Sequence, residues 1–183
     1  MKKTLIYGTL LLLALNIASC SKEKKSTDVI ITSEINMEHQ MLNFATSKTE
    51  NGFPGSAHGG RYYSSADSIS QYAVGYSYVF PDSLKDRNLM VYVKAWVREQ
   101  EAPIEGKIAV ALSTSKGIGF WGGFTAKNTN YTPSTWVEIN DSLIIASSLL
   151  KDNFVELSVF GHKTTGKDRF DLDDLNITYR FFK

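Results

Sequence analysis

Reactive side chains are few in this chain of 183 residues. Cys20 is the one cysteine, so its thiol has no partner for an intrachain disulfide. His39, His58 and His162 stand alone, without a second ligand at a metal-binding spacing. Glu99 and Glu101 form a carboxylate pair, but any acidic turn offers as much, and glycoside hydrolysis needs two carboxylates set across a cleft. No Gly-x-Ser-x-Gly elbow and no phosphate-cradling Gly-Lys-Ser/Thr loop occurs. These residues do not compose a catalytic constellation.

The aromatic residues offer different chemistry. The C–H face of a sugar ring is apolar and stacks on flat rings, while nearby polar groups fix its orientation. Two stretches could do this. One is Tyr92, Lys94, Trp96 and Arg98, which alternate along one strand-like segment. The other is Lys116-Gly117-Ile118-Gly119-Phe120-Trp121-Gly122-Gly123-Phe124, where glycines beside Trp121 would present the indole at a loop tip. Trp96 could instead pack inward with the parity reversed, and Trp121 could cap one end of the fold. Trp136, which opens a strand after Pro133-Ser134-Thr135, reads as core or near-core.

Strands must position these rings. Period-two alternation runs through Gln71 to Phe80, with Tyr72, Val74, Tyr76, Tyr78 and Phe80 on one side. Leu89 to Arg98 sets Leu89, Val91, Val93, Ala95 and Val97 against the amphipathic set above. Ile108, Val110 and Leu112 alternate likewise, as do Val155, Leu157 and Val159, and Leu175, Ile177, Tyr179 and Phe181. Turn residues separate the runs, among them Gly59-Gly60, Pro81-Asp82, Gly122-Gly123 and Thr164-Thr165-Gly166. Helix patterning is confined to Ser33 to Phe44 and to a turn at Ala146 to Leu150. The expectation is an all-β sandwich of two antiparallel sheets, each with one buried face.

Formal charge is +1, from 20 Lys+Arg and 19 Asp+Glu. That balance argues against a nucleic-acid partner, which requires basic surface to displace counterions. Lys2 and Lys3 open the chain, followed by an apolar run from Thr4 to Ala18, too short to span a bilayer comfortably. Small residues, Ala18-Ser19, then precede Cys20, and this order resembles the lipobox of bacterial lipoproteins. The resemblance implies a signal peptide over residues 1–19, cleaved to leave Cys20 acylated, with palmitate-type chains mooring the protein to a membrane. Loss of the leader removes Lys2 and Lys3 and no acid, taking the charge from +1 to −1. Residues 20–28 are polar and lysine-rich, a flexible tether, and residues 29–183 form the folded domain. Ser21 stands where enterobacterial lipoproteins retained at the inner membrane tend to carry Asp, so the expected location is the outer membrane, on either face.

Three further stretches occur in order: Asn36-Met37-Glu38, Ala57-His58-Gly59-Gly60-Arg61-Tyr62-Tyr63, and Phe170-Asp171-Leu172-Asp173-Asp174-Leu175-Asn176-Ile177. With the Trp-bearing strand Val93 to Arg98 between them, the order resembles jelly-roll carbohydrate-binding modules of galactose-binding-like fold. The resemblance implies a structural calcium held by Glu38, the carbonyl of Arg61 and Asp173, with Glu34 as a competing carboxylate. Calcium takes six to eight oxygen ligands, mixing carboxylates with carbonyls. It also implies a non-catalytic domain whose partner is a polysaccharide or oligosaccharide, with Trp121, Trp96, Tyr92 and Arg98 as candidate contacts. Two alternatives accompany it: a structural or protein-interaction subunit of an envelope assembly, and a small glycan-cleaving enzyme.

Overall fold

A computed structural model describes residues 28–35, 48–51, 57–101, 103–126, 131–151, 154–163 and 168–183. Cys20, the leader, most of the tether and Glu38 lie outside the described residues. The strands are β1 (Val29–Ile35), β2 (Lys48–Asn51), β3 (Tyr62–Ala66), β4 (Tyr72–Tyr78), β5 (Asn88–Glu99), β6 (Lys107–Thr114), β7 (Gly117–Phe124), β8 (Val137–Ile145), β9 (Phe154–His162) and β10 (Phe170–Phe182). A short helix, α1 (Ser147–Lys151), falls close to the helical turn expected from sequence. The first residues of the other expected helix, Ser33 to Ile35, belong to β1 instead; its remainder is outside the described residues.

One sheet runs β2-β3-β10-β5-β8, with β1 also paired to β10; the other runs β4-β9-β6-β7. All pairings are antiparallel. From β3 onward the chain changes sheet at every step except the β6–β7 hairpin and so winds as a jelly roll. The hairpin turns at Ser115-Lys116, and Gly117 has φ +117°, a region that strongly favours glycine. β10 holds the larger sheet together. One edge pairs with β5 along most of its length; the other pairs with β3 at Phe170–Leu172 and with β1 at Leu175–Phe181.

The core lies between the sheets. Leu89, Val91, Val93, Ala95 and Val97 of β5 meet Ile108, Val110 and Leu112 of β6, Leu157 and Val159 of β9, and the inward side of β10. On β10 the inward residues are Phe170, Leu172, Leu175, Ile177, Tyr179 and Phe181, so the period slips by one between Leu172 and Leu175. A bulge between Asp173 and Asn176 absorbs the slip, with Asp174 at φ 49°. Asp tolerates that left-handed conformation better than most residues. The Leu-Asp-Asp-Leu run is thus a strand that shifts its register in order to keep both leucines inside.

β4 corrects the expected parity. A bulge between Tyr72 and Gly75 leaves Val74 and Phe80 in the core with Tyr76 and Tyr78 packed against it, and turns Tyr72 to the outside. At one end of the sandwich a polar network ties the loops. Lys163, fully buried, places Nζ 2.6 Å from Glu99 Oε2 and 3.1 Å from Asp168 Oδ1. Glu99 Oε1 accepts the backbone N–H of Glu105 and of Gly106, and the Tyr131 hydroxyl donates to the Glu99 carbonyl. Burial pushes the Glu99 pKa up against these donors. For Lys163, burial works downward and is outweighed by Glu99 and Asp168, so the ammonium is favoured. Glu99 is therefore the anchor of an ion network and not half of an acid–base pair with Glu101.

Candidate functional site

The outer face of the larger sheet collects several of the residues singled out in the sequence. Tyr92, Lys94, Trp96 and Arg98 do share the outward side of β5. Register sets Arg98 opposite Asp171 of β10, and Ser65 of β3 opposite Asp171 from the other side. The Asp171 carboxylate is consequently enclosed. Oδ2 accepts from Arg98 Nε at 3.1 Å and NH2 at 2.7 Å. Oδ1 accepts from the Ser65 hydroxyl at 2.7 Å and lies 2.8 Å from Arg169 Nε. The Arg98 guanidinium also lies 4.4 Å from the Trp136 ring centroid and 5.2 Å from that of Tyr63. Arg98 is thus committed to a buried ion pair and two rings. Trp136, read from sequence as core or near-core, is half-buried and packs in this outer cluster.

Trp96 has a neighbour of its own. The His58 imidazole stacks on its indole with centroids 3.8 Å apart and planes at 13°. His58 Nδ1 is 3.0 Å from Asp174 Oδ2, so the bulge residue holds the imidazole in place. Tyr92, at the other end of the strand, is exposed and donates its hydroxyl to Asn140 of β8.

Asp173 bears on the expected calcium. Its carboxylate is buried; Oδ2 accepts the backbone N–H of His58 at 3.0 Å and of Gly59 at 3.1 Å, and Oδ1 accepts that of Asp174 at 2.9 Å. Burial raises its pKa and these N–H groups oppose the rise. Arg61 follows the same turn, just before β3. Of the expected set, the described residues hold Asp173, whose carboxylate is already bonded by three N–H donors, and Arg61; Glu38 lies outside them. Among the described residues there is no group of three or more His, Cys, Asp or Glu that could hold a metal ion.

The smaller sheet carries a second outer cluster that sequence reading largely missed. Trp121 lies within β7, not at a loop tip, and is 40% exposed. Register places it opposite Ala111 of β6, with Gly123 opposite Ala109. These small residues let the indole reach β9. Its centroid is 5.8 Å from Phe160 and 5.3 Å from His162, edge to face in both cases. Tyr72, turned outward by the β4 bulge and 41% exposed, flanks the same two rings from the other side at 5.5 Å each. Gly75 makes room there: a Cβ would lie 2.3 Å from that of Phe160. Two open rings thus bracket two that are nearly sealed, Phe160 at 6% and His162 at 8% exposure.

Charge is arranged around these rings. Lys107 is paired in register with His162, and its Nζ is 5.6 Å from the Trp121 centroid. Burial, with the Lys107 charge second, holds the His162 pKa below the usual histidine range, so the ring is neutral at neutral pH. The available signal was parity: Phe160 and His162 share the outward side of β9 with Ser158, where apolar rings need a reason.

No protein-family model and no curated protein sequence matches the chain. Solved structures resemble it in fold. The CBM22-1 xylan-binding domain from Paenibacillus barcinonensis Xyn10C is 15% identical, with 82% of this chain and 94% of that one covered at a TM-score of 0.45. A cyclase from Fischerella sp. TAU is 12% identical, covering 84% and 85% at a TM-score of 0.46. The infectious bursal disease virus VP2 subviral particle is 8% identical over 86% of this chain, at a TM-score of 0.45. This chain spans about a third of that viral chain's length.

Proposed function

We propose that this chain is a non-catalytic glycan-binding domain, moored to the bacterial outer membrane by acyl chains on Cys20. The observation that supports it most is the outer face of the smaller sheet. Trp121 and Tyr72 are open, sit on paired strands and are buttressed by Phe160 and His162. A sugar ring could stack there while Lys107, His162 and neighbouring strand hydroxyls orient it. On the opposite sheet, Arg98 is paired and one face of Trp96 is covered, so that side offers Tyr92 as its open ring. Retention on insoluble glycans tests the reading, with Trp121→Ala as the variant. Wild-type retention lost in a variant of unchanged melting temperature supports it; equal retention removes Trp121 from the site.

A protein-interaction subunit is the second reading, favoured by β7. This strand ends its sheet and carries no charge and no proline from Gly117 to Phe124, and Ile118 is 63% exposed. Edge strands of that composition are open to pairing with another chain. Cross-linking at residue 118 to an envelope protein, with no glycan retained, would favour it over the first.

A further inference from the structure

Seven lysines and arginines among the described residues are paired with carboxylates. Lys85 pairs with Asp82, Lys94 with Glu138, Arg98 and Arg169 with Asp171, Lys151 with Asp86, Lys163 with Glu99 and Asp168, and Arg180 with Asp28. Lys107, like Lys116 and Lys183, has no carboxylate partner among the described residues, but its ammonium stands beside the Trp121 ring. His162, across the strand pair, is more than nine-tenths buried, and its imidazole makes ring contacts but no hydrogen bond to a described residue. An ammonium without a carboxylate and an imidazole held by ring contacts therefore border the same two exposed rings.

We propose that this face takes an anionic saccharide, its ring stacked on Trp121 and its acidic group met by Lys107 and the His162 ring. The inference rests on the glycan-binding reading and adds the charge class of the ligand. A neutral sugar would leave the ammonium without a counter-charge, whereas a carboxylate or sulfate accepts charge-assisted hydrogen bonds, which are the stronger kind. Lys107 is half-buried, so its attraction is partly screened by salt.

Affinity electrophoresis of the full chain in gels containing polygalacturonate, a sulfated galactan, xylan or a neutral β-glucan tests this. Retardation should be strongest in one of the acidic gels and should fall as salt is raised. Which acidic gel retards the chain tells carboxylate from sulfate. Lys107→Met should weaken that retardation about tenfold; His162→Gln should weaken it less, because the amide keeps a donor. A melting temperature equal to wild type shows that each variant is folded. Equal or stronger retardation by the neutral glycans, or an unaffected Lys107→Met variant, overturns the charge inference and leaves glycan binding standing. Retardation by none of the four overturns the glycan reading itself.

Discussion

The imidazole of His58 lies flat against the indole of Trp96, 3.8 Å between centroids, and Asp174 fixes it there. One face of Trp96 is thereby occupied by the protein itself. Trp121 has edge contacts instead and is 40% exposed. The two tryptophans should separate cleanly in experiment. Trp121→Ala should reduce glycan retention by about tenfold or more, corresponding to ~1.4 kcal/mol, with little change in melting temperature. Trp96→Ala should leave retention unchanged and lower stability. The reverse pattern would move the site to the larger sheet.

Lys163 should be the most sensitive charged residue for stability. Its ammonium, Glu99 and Asp168 are all nearly sealed from solvent. Lys163→Met strands two carboxylates and should cost about 3–5 kcal/mol in urea unfolding. Adding Glu99→Gln should restore part of the loss, since one of the unpaired charges is then gone. A single variant within about 0.5 kcal/mol of wild type would contradict the network.

His162 gives a pH dependence with a defined sign. Its folded pKa is held below the ordinary value, first by burial and then by Lys107; Tyr72, Trp121 and Phe160 are the rings facing it. The unfolded chain therefore binds the proton more readily. This contribution to stability is complete above the ordinary histidine pKa of about 6.5 and is lost as pH falls through the lower folded value. His162→Gln should show a shallower fall in melting temperature between about pH 7 and pH 5 than wild type. Parallel curves would remove His162 as the cause.

Calcium and backbone N–H groups are two ways of meeting the buried charge of Asp173. An ion shared with Glu38 and the Arg61 carbonyl, as the family resemblance implies, should release heat on titration into the EDTA-stripped chain. It should also stabilise the fold by about 2.7 kcal/mol at a hundredfold excess over Kd. Glu38→Gln should abolish both effects. A flat titration would leave the three N–H bonds to hold Asp173 unaided.

The alternation along β5 was legible because each residue there pairs in register without interruption on its β8 side. Leu89, Val91, Val93, Ala95 and Val97 point inward and Tyr92, Lys94, Trp96 and Arg98 outward, as period two requires. Tyr72 was misread because one extra residue in β4 flips every side chain before it, and no composition cue marks that bulge. The glycine-rich stretch around Trp121 suggested a loop, yet its glycines serve close strand packing: a Cβ on Gly123 would lie 2.6 Å from the Ile108 carbonyl oxygen. The candidate site was half visible. Trp121 could be named from its type, whereas Lys107, His162 and Tyr72 come from three different strands and meet only through register.

β1 enters the domain at Val29, beside Phe181, and runs back along β10 to Ile35, beside Leu175. Tension applied ahead of residue 28 and directed along that strand would strain seven cross-strand pairs together, as shear, instead of parting them in succession like a zip. Because β10 passes that strain to β5 across its other edge, the final strand of the chain acts as the crossbar from which the rest of the domain hangs.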